Sequence, residues 1–176
     1  MKGVRNILPG TDHRGFTLVE IIAILIIVGI VAAVAISSVM STSGTGRISQ
    51  ESVIKNHIRF AQSMAMKRVT MTIPVWGIKC DGAAYWLFRT NLPDTPANQI
   101  VLPDESTVQV SLADKNITLT AFTVFFDGNG RPFTAYTSAT VNTPVSAANP
   151  LSITVGSLPA GSSGTFAIAP ETGFIP

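Results

Sequence analysis

Three hydrophobic regimes follow one another along the chain. From Ile21 to Ile36 the residues are apolar or small on every side, a run headed by one carboxylate, Glu20. Further on, Ile54, Ile58, Ala61 and Ala65 recur at i, i+4, i+7 and i+11, the spacing of one helical face, while Lys55, Arg59, Gln62 and Lys67 fall largely elsewhere and Val53, Phe60 and Met64 flank the stripe. Beyond Thr70 the pattern becomes short β-branched and aromatic runs between turn residues. A helix is therefore predicted over Phe16–Met40 and an amphipathic one up to about residue 69. Between them, Ser41-Thr42-Ser43-Gly44-Thr45-Gly46 predicts a hinge or break, because each Gly costs about 1 kcal/mol relative to Ala inside a helix.

The remainder, residues 70–176, reads as a β-rich head. Met71–Ile78 is a strand candidate in which Pro74 suggests an edge or bulge, and Ala83–Arg89 is its hairpin partner across Cys80-Asp81-Gly82. Further candidates are Thr107–Leu112, Ile117–Ala121, Thr123–Phe126, Pro132–Tyr136, Leu151–Val155 and Thr165–Ala169. Asn91–Asn98 and Thr137–Pro150 read as surface loops. A long N-terminal helix lying on a meandering antiparallel sheet is an α+β plan.

Length sharpens this picture. As a helix, Phe16–Met40 would be roughly 37 Å long at about 1.5 Å per residue, enough to cross a hydrocarbon core of about 30 Å. Gly29, Ala32, Ala33 and Ala35 allow close approach of a neighbouring helix. With 176 residues, the chain has room for one modest domain besides this segment. Its composition, 46% hydrophobic against 12% charged, suits an anchor plus a strand-rich head. Lys2, Arg5 and Arg14 against Asp12 account for the whole formal net charge of +2, so the rest of the chain is neutral and lacks the basic character of a nucleic-acid binder. Positive residues ahead of the apolar run predict a cytoplasmic N-terminus and a translocated head. Cys80 is the only cysteine, which rules out an intrachain disulfide.

Glu20 is the odd residue, since an ionised carboxylate in hydrocarbon costs about 2.5–3.5 kcal/mol on insertion scales. Cleavage after Gly15 would give Phe16 a new α-amino group at the same depth. The stretch Gly15-Phe16-Thr17-Leu18-Val19-Glu20 resembles the cleavage and methylation signature of type IV prepilins and of the pseudopilins of type II secretion. The resemblance implies that a prepilin peptidase cuts after Gly15 and methylates Phe16. It also implies that Glu20 pairs with a neighbouring subunit's terminus as pilins assemble through this helix. Residues 1–15 would be the leader, 16–40 the transmembrane and filament-core helix, 41–69 the hinge and second half of the helix, and 70–176 the periplasmic head. A plain signal anchor, or a secretory signal cut after Ala33-Val34-Ala35, are the bland alternatives.

Three further blocks, Ile58–Ala65, Phe125–Pro132 and Ile168–Ile175, are similar to the helix, mid-domain turn and terminal strand of the pseudopilin H and fimbrial-biogenesis T group. That resemblance implies a type IV pilin-like fold and a minor subunit of a periplasmic pseudopilus or pilus in the bacterial inner membrane. A DNA-binding minor pilin is the alternative. Against it, Gly173-Phe174-Ile175-Pro176 stands where a Gly-Arg pattern would be expected, and Arg131, Arg89 and Lys115 make a thin electrostatic footprint.

No residue pattern requires an enzyme, and no cofactor, metal or small-molecule substrate is expected. Asp127-Gly128-Asn129-Gly130 begins like a calcium loop, but Ser138 occupies the position that needs a bidentate acid, so a hairpin turn is predicted. Asp104-Glu105 reads as a solvated acidic pair, His57 as a helical histidine without an orienting acid, and Cys80 as a turn-flanking or core thiol. Asn116-Ile117-Thr118 matches a sequon too short to carry weight.

Overall fold

The computed structural model describes residues 17–68, 70 and 74–176 and, within them, the side chains outside 33–44. The chain divides into two units, Met1–Val39 and Met40–Pro176. Helix α1 (Leu18–Arg68) is assigned as one helix of 51 residues. It therefore runs through Ser41–Gly46, where a break was expected. Glycine lowers helix propensity without forbidding the conformation, and no proline removes a hydrogen bond there. Just beyond, Glu51 ties Arg47 (2.5 Å) and Lys55 (3.1 Å) into the i, i+4 pairs that favour a helix.

In the first unit every described residue from Thr17 to Ala32 is exposed, including Leu18, Val19, Leu25, Ile27 and Val31. In the second, Ile54, Ile58, Ala61 and Ala65 are all buried, as the stripe predicts, and His57 is buried among them.

The head is antiparallel throughout, but it is two sheets rather than the single meander expected. The strands are β1 (Trp76–Cys80), β2 (Ala84–Arg89), β3 (Gln99–Ile100), β4 (Gln109–Ser111), β5 (Ile117–Leu119), β6 (Phe122–Phe126), β7 (Pro132–Tyr136), β8 (Asn142–Pro144), β9 (Leu151–Ser157) and β10 (Ser163–Ile168). The larger sheet has the order β3-β2-β1-β6-β7-β8 with β4 also on β2; the smaller has the order β10-β9-β5. β1 is a central strand, paired with both β2 and β6. Pro74, which lacks the N–H that ladder position would need, stays outside it, and residues 71–73 of the expected strand lie outside the described residues. The predicted loops hold small elements: Asn91–Asn98 ends in a 3-10 turn, Pro96–Asn98, and Thr137–Pro150 contains edge strand β8.

Strand alternation sorts side chains into two cores. Trp76, Ile78, Cys80, Tyr85, Leu87, Val124 and Phe126 join the α1 stripe, and so do Ile153, Val155, Phe166 and Ile168 of the smaller sheet. On the other face of the larger sheet, Trp86, Phe88, Phe125, Phe133 and Tyr136 form an aromatic cluster. Phe88 and Phe125 meet edge to face at 5.1 Å, an arrangement that suits the ring quadrupoles. The 91–98 segment helps cover it: Trp86 Nε1 donates to the Pro93 carbonyl (2.8 Å), and Asn91 Nδ2 donates to the Thr137 carbonyl (3.1 Å).

Gly77 lies on the aromatic face, opposite Phe88 on one neighbour and Phe125 on the other. A Cβ there would collide with the Val124 carbonyl oxygen and the Phe88 ring. Both obstacles sit inside a paired sheet, so neither can yield. Gly77→Ala is expected to destabilise the head by about 3 kcal/mol or more, the upper end of overpacking costs, measured by denaturant unfolding.

Candidate functional site

The sequence places its candidate site at the start of the chain. Gly15 and Phe16 lie outside the described residues. Glu20 lies in the first turn of α1 and is exposed. The turn is built from the motif itself: Thr17 Oγ1 accepts a hydrogen bond from the Glu20 backbone N–H (3.3 Å), and the Thr17 carbonyl accepts one from Ile21 N–H (3.2 Å). Thr17 thus caps the helix, with Glu20 at the third helical position, the Thr-x-x-Glu spacing of a capping box. A carboxylate there also faces the positive end of the helix dipole. This role of Thr17 was readable in the spacing and was missed. After Glu20, the described residues up to Ala32 present an exposed apolar surface on every side of the helix.

The other candidate groups are engaged in the head. Asp127 sits at the β6–β7 turn, where its Oδ1 accepts from Asn129 N–H and Arg131 N–H, each at 2.9 Å, and its Oδ2 accepts from Arg131 Nε at 3.1 Å. This is the expected hairpin turn. Among the described residues no group of three or more His, Cys, Asp or Glu could hold a metal. Glu105 corrects an expectation: its side chain is only 11% exposed and pairs with Lys115 at 2.8 Å. The partner lies ten residues away across β4, beyond the reach of a local pattern.

His57 is 5% exposed. Its Nε2 is 3.2 Å from the Pro103 carbonyl, which only accepts, so Nε2 carries the proton and Nδ1 accepts from Tyr85 OH at 3.0 Å. Burial drives the His57 pKa below the ordinary imidazole value, outweighing the opposing pull of the Pro103 carbonyl and the carboxylates of Glu105 and Asp104. Burial likewise pushes the Tyr85 phenol and the Cys80 thiol up. Cys80 is a protonated core thiol flanking the turn, not a nucleophile.

Gln62 is the residue that sequence reading undervalued. Its Nε2 donates to both the Gly130 carbonyl (2.9 Å) and the Thr172 carbonyl (2.8 Å), and one turn earlier Arg59 Nη2 donates to the Ile175 carbonyl (2.8 Å). Gly130 and Gly173 adopt positive φ, and a Cβ on either would press on the Gln62 amide. The three blocks Ile58–Ala65, Phe125–Pro132 and Ile168–Ile175 therefore meet at one side-chain amide. The last is not a strand throughout: β10 ends at Ile168, and the chain turns so that Ala169 N–H donates to the Phe174 carbonyl at 2.8 Å. The signal available was the pair of glycines, each in a polar turn.

Residues 11–40 match the prokaryotic N-terminal methylation motif. The match covers Gly15, Phe16 and Glu20. It supports a type IV pilin-like or pseudopilin-like structural subunit, and it implies processing by a prepilin peptidase and assembly with other pilins. No curated protein and no solved structure gives a significant match to the chain.

Two outcomes follow for the head. Gln62→Ala leaves two carbonyls short of a donor and is expected to cost about 1–3 kcal/mol, with faster hydrogen exchange confined first to residues 169–175. Because the folded-state pKa of His57 is depressed while the unfolded chain titrates normally near pH 6.5, the unfolded state binds more protons in acid. Stability should be constant above about pH 6.5 and fall below it, and His57→Gln should flatten that fall in denaturant midpoints measured from pH 7.5 to 5.

Proposed function

We propose that this chain is a minor pseudopilin or pilin of the pseudopilin H and fimbrial-biogenesis T group, assembled into a periplasmic filament for type II protein secretion or type IV pilus biogenesis. It enters the inner membrane through Ile21–Met40, with its N-terminus cytoplasmic and its head periplasmic. Prepilin peptidase cuts after Gly15 and methylates Phe16. The new terminus of one subunit meets Glu20 of the next, which sets the axial register between them. The head then contacts other subunits.

The observation that carries this reading is the methylation motif over residues 11–40, with Glu20 in the first turn of a helix apolar on all sides. A bare acid in lipid is relieved at least cost by a cation delivered on another helix. Among the described residues no helix is long and apolar enough to cross a membrane, and the side chains of the proposed span beyond Ala32 lie outside the described residues. The sequence of that span, continuous to Ile36, supports the anchor.

The electrostatics of the head favour the structural role over DNA capture. Arg131 is paired with Asp127 and Lys115 with Glu105, so two of the three cations singled out for phosphate contact are already neutralised.

Glu20→Gln should leave the protein in the membrane fraction and processed to methyl-Phe16 by mass spectrometry, while its recovery in sheared or sedimented filaments falls at least tenfold. Normal incorporation of the variant, or a mature chain still beginning at Met1, would reject the mechanism.

A further inference from the structure

Between β4 and β5 the chain carries three polar side chains that the fold leaves unused. Residues 114–118 read Asp-Lys-Asn-Ile-Thr, and their burial alternates: Asp114, Asn116 and Thr118 are exposed, Lys115 is half-buried and Ile117 is buried. The covered pair anchors the segment, Lys115 through its ion pair with Glu105 (2.8 Å) and Ile117 through the core it shares with α1. The exposed three make no such contact. The Asp114 carboxylate, the Asn116 amide and the Thr118 hydroxyl have no hydrogen-bond or ion-pair partner among the described residues. Asp114 enters the turn only through its backbone N–H, which donates to Ser111 Oγ (3.3 Å).

Backbone geometry accounts for part of this. Asn116 has a φ of 55° and closes a turn in which its N–H donates to the Ala113 carbonyl (3.0 Å), a conformation that asparagine takes more readily than most residues. Glycine or aspartate would serve that turn as well, and the turn asks nothing of the side chains of Asp114 and Thr118. What Asn116 and Thr118 share is the Asn-x-Thr spacing of an N-glycosylation acceptor, here with an exposed acid two positions ahead. In the folded head Ile117 lies opposite Ser157 and Thr118 opposite Gly156, so the strand that covers this segment follows about forty residues later in the chain. Until β9 arrives, the acceptor has no ladder partner and can lie extended in an enzyme.

We propose that Asn116 is an N-glycosylation site, modified while the head is translocated. The donor is an oligosaccharide carried on a polyprenyl diphosphate. Asn116 Nδ2 bonds to the anomeric carbon as that carbon's bond to the diphosphate oxygen breaks; the amide gives up one proton, and the polyprenyl diphosphate leaves with the bonding electrons. Asp114 gives the transferring enzyme, whose donor site must hold an anion, a carboxylate to grip. β5 is an edge strand of the smaller sheet, so a bulky hydrophilic group at its start hinders strand addition by another chain. The proposal rests on the reading that the head crosses the membrane and assigns one modification to it.

The test uses the full-length protein recovered from the membranes of the cells that naturally make it, digested and sequenced by tandem mass spectrometry. The expected peptide carries a glycan on Asn116 and releases sugar oxonium ions. Thr118→Val keeps a β-branched strand residue but removes the hydroxyl, and it should lower occupancy about tenfold, whereas Thr118→Ser should hold it within about twofold. Asn116→Gly, which suits the positive φ, should abolish the glycan without lowering the yield of membrane protein. Unmodified Asn116 in chains that begin at methyl-Phe16 would overturn the site and leave the proposed function standing. A glycan on Asn116 in chains that still begin at Met1 would support the site and count against the filament reading. Equal occupancy in the Thr118→Val and Thr118→Ser proteins would overturn the assignment.

Discussion

The structure of the head depends on a narrow apolar stripe, Ile54, Ile58, Ala61 and Ala65, that serves two sheets at once. Its second half is alanine, and both alanines are fully buried. Small side chains there allow close packing against the helix, and Ile54 and Ile58 share one buried cluster with residues of both sheets. Substituting larger residues would push the layers apart, and polar ones would open the joint between them. The alternation of the β1, β2 and β6 strands follows from this arrangement. One face must meet the helix and the other must be sealed separately, so a second, aromatic cluster exists and is covered partly by the 91–98 segment through Trp86 and Asn91.

Everything periodic was legible in the sequence. The stripe and most of the strands were written in spacings of two, four or seven residues, the Asp127 turn in its Asp-Gly-Asn-Gly residues, and the apolar segment after Glu20 in an unbroken run. What escaped was written across distance. The single meander became two sheets because β5 leaves its sequence neighbours to pair with β9, which also holds β10, while β1 pairs with β6, more than forty residues on, and no local pattern announces such partners. Glu105 looked solvated because Lys115 approaches it only after the chain folds back. The helix passed through Ser41–Gly46 because a propensity penalty is a cost per residue, which continuous hydrogen bonding on both sides can outweigh. For the candidate site the balance was reversed: Gly15, Phe16 and Glu20 were read from six adjacent residues, and the capping role of Thr17 lay in the same six.

The head quiets its reactive groups. Its thiol is buried and protonated, its histidine is neutral and held between a phenol and a carbonyl, and three of its cations are matched with carboxylates. A catalytic site keeps a group poised near its pKa and open to substrate. Here burial moves His57 and Cys80 in opposite directions, each toward its uncharged form. That is the signature of a packed structural core, in keeping with a chain whose recognisable chemistry lies in its processing motif.

The proposed processing would have an electrostatic consequence of its own. Before the proposed cleavage, Lys2, Arg5 and Arg14 precede Glu20 in the sequence, and such charges would favour retention at the cytoplasmic face. Cleavage after Gly15 would take away three cations and one acid and leave a single α-amino charge at Phe16, two residues ahead of Leu18, where the helix begins. A terminus so close in sequence to the helix start would lie toward the positive end of the helix dipole, an unfavourable place for a cation, while Glu20 stands where an anion is favoured. The two groups are therefore unequal. The carboxylate is partly stabilised by its own helix, whereas the amine created by the proposed cleavage would lack such help and gain most from a carboxylate outside its own first turn. On the proposed assembly, Glu20 of an adjacent subunit would supply one, and the charge pair would then form between chains.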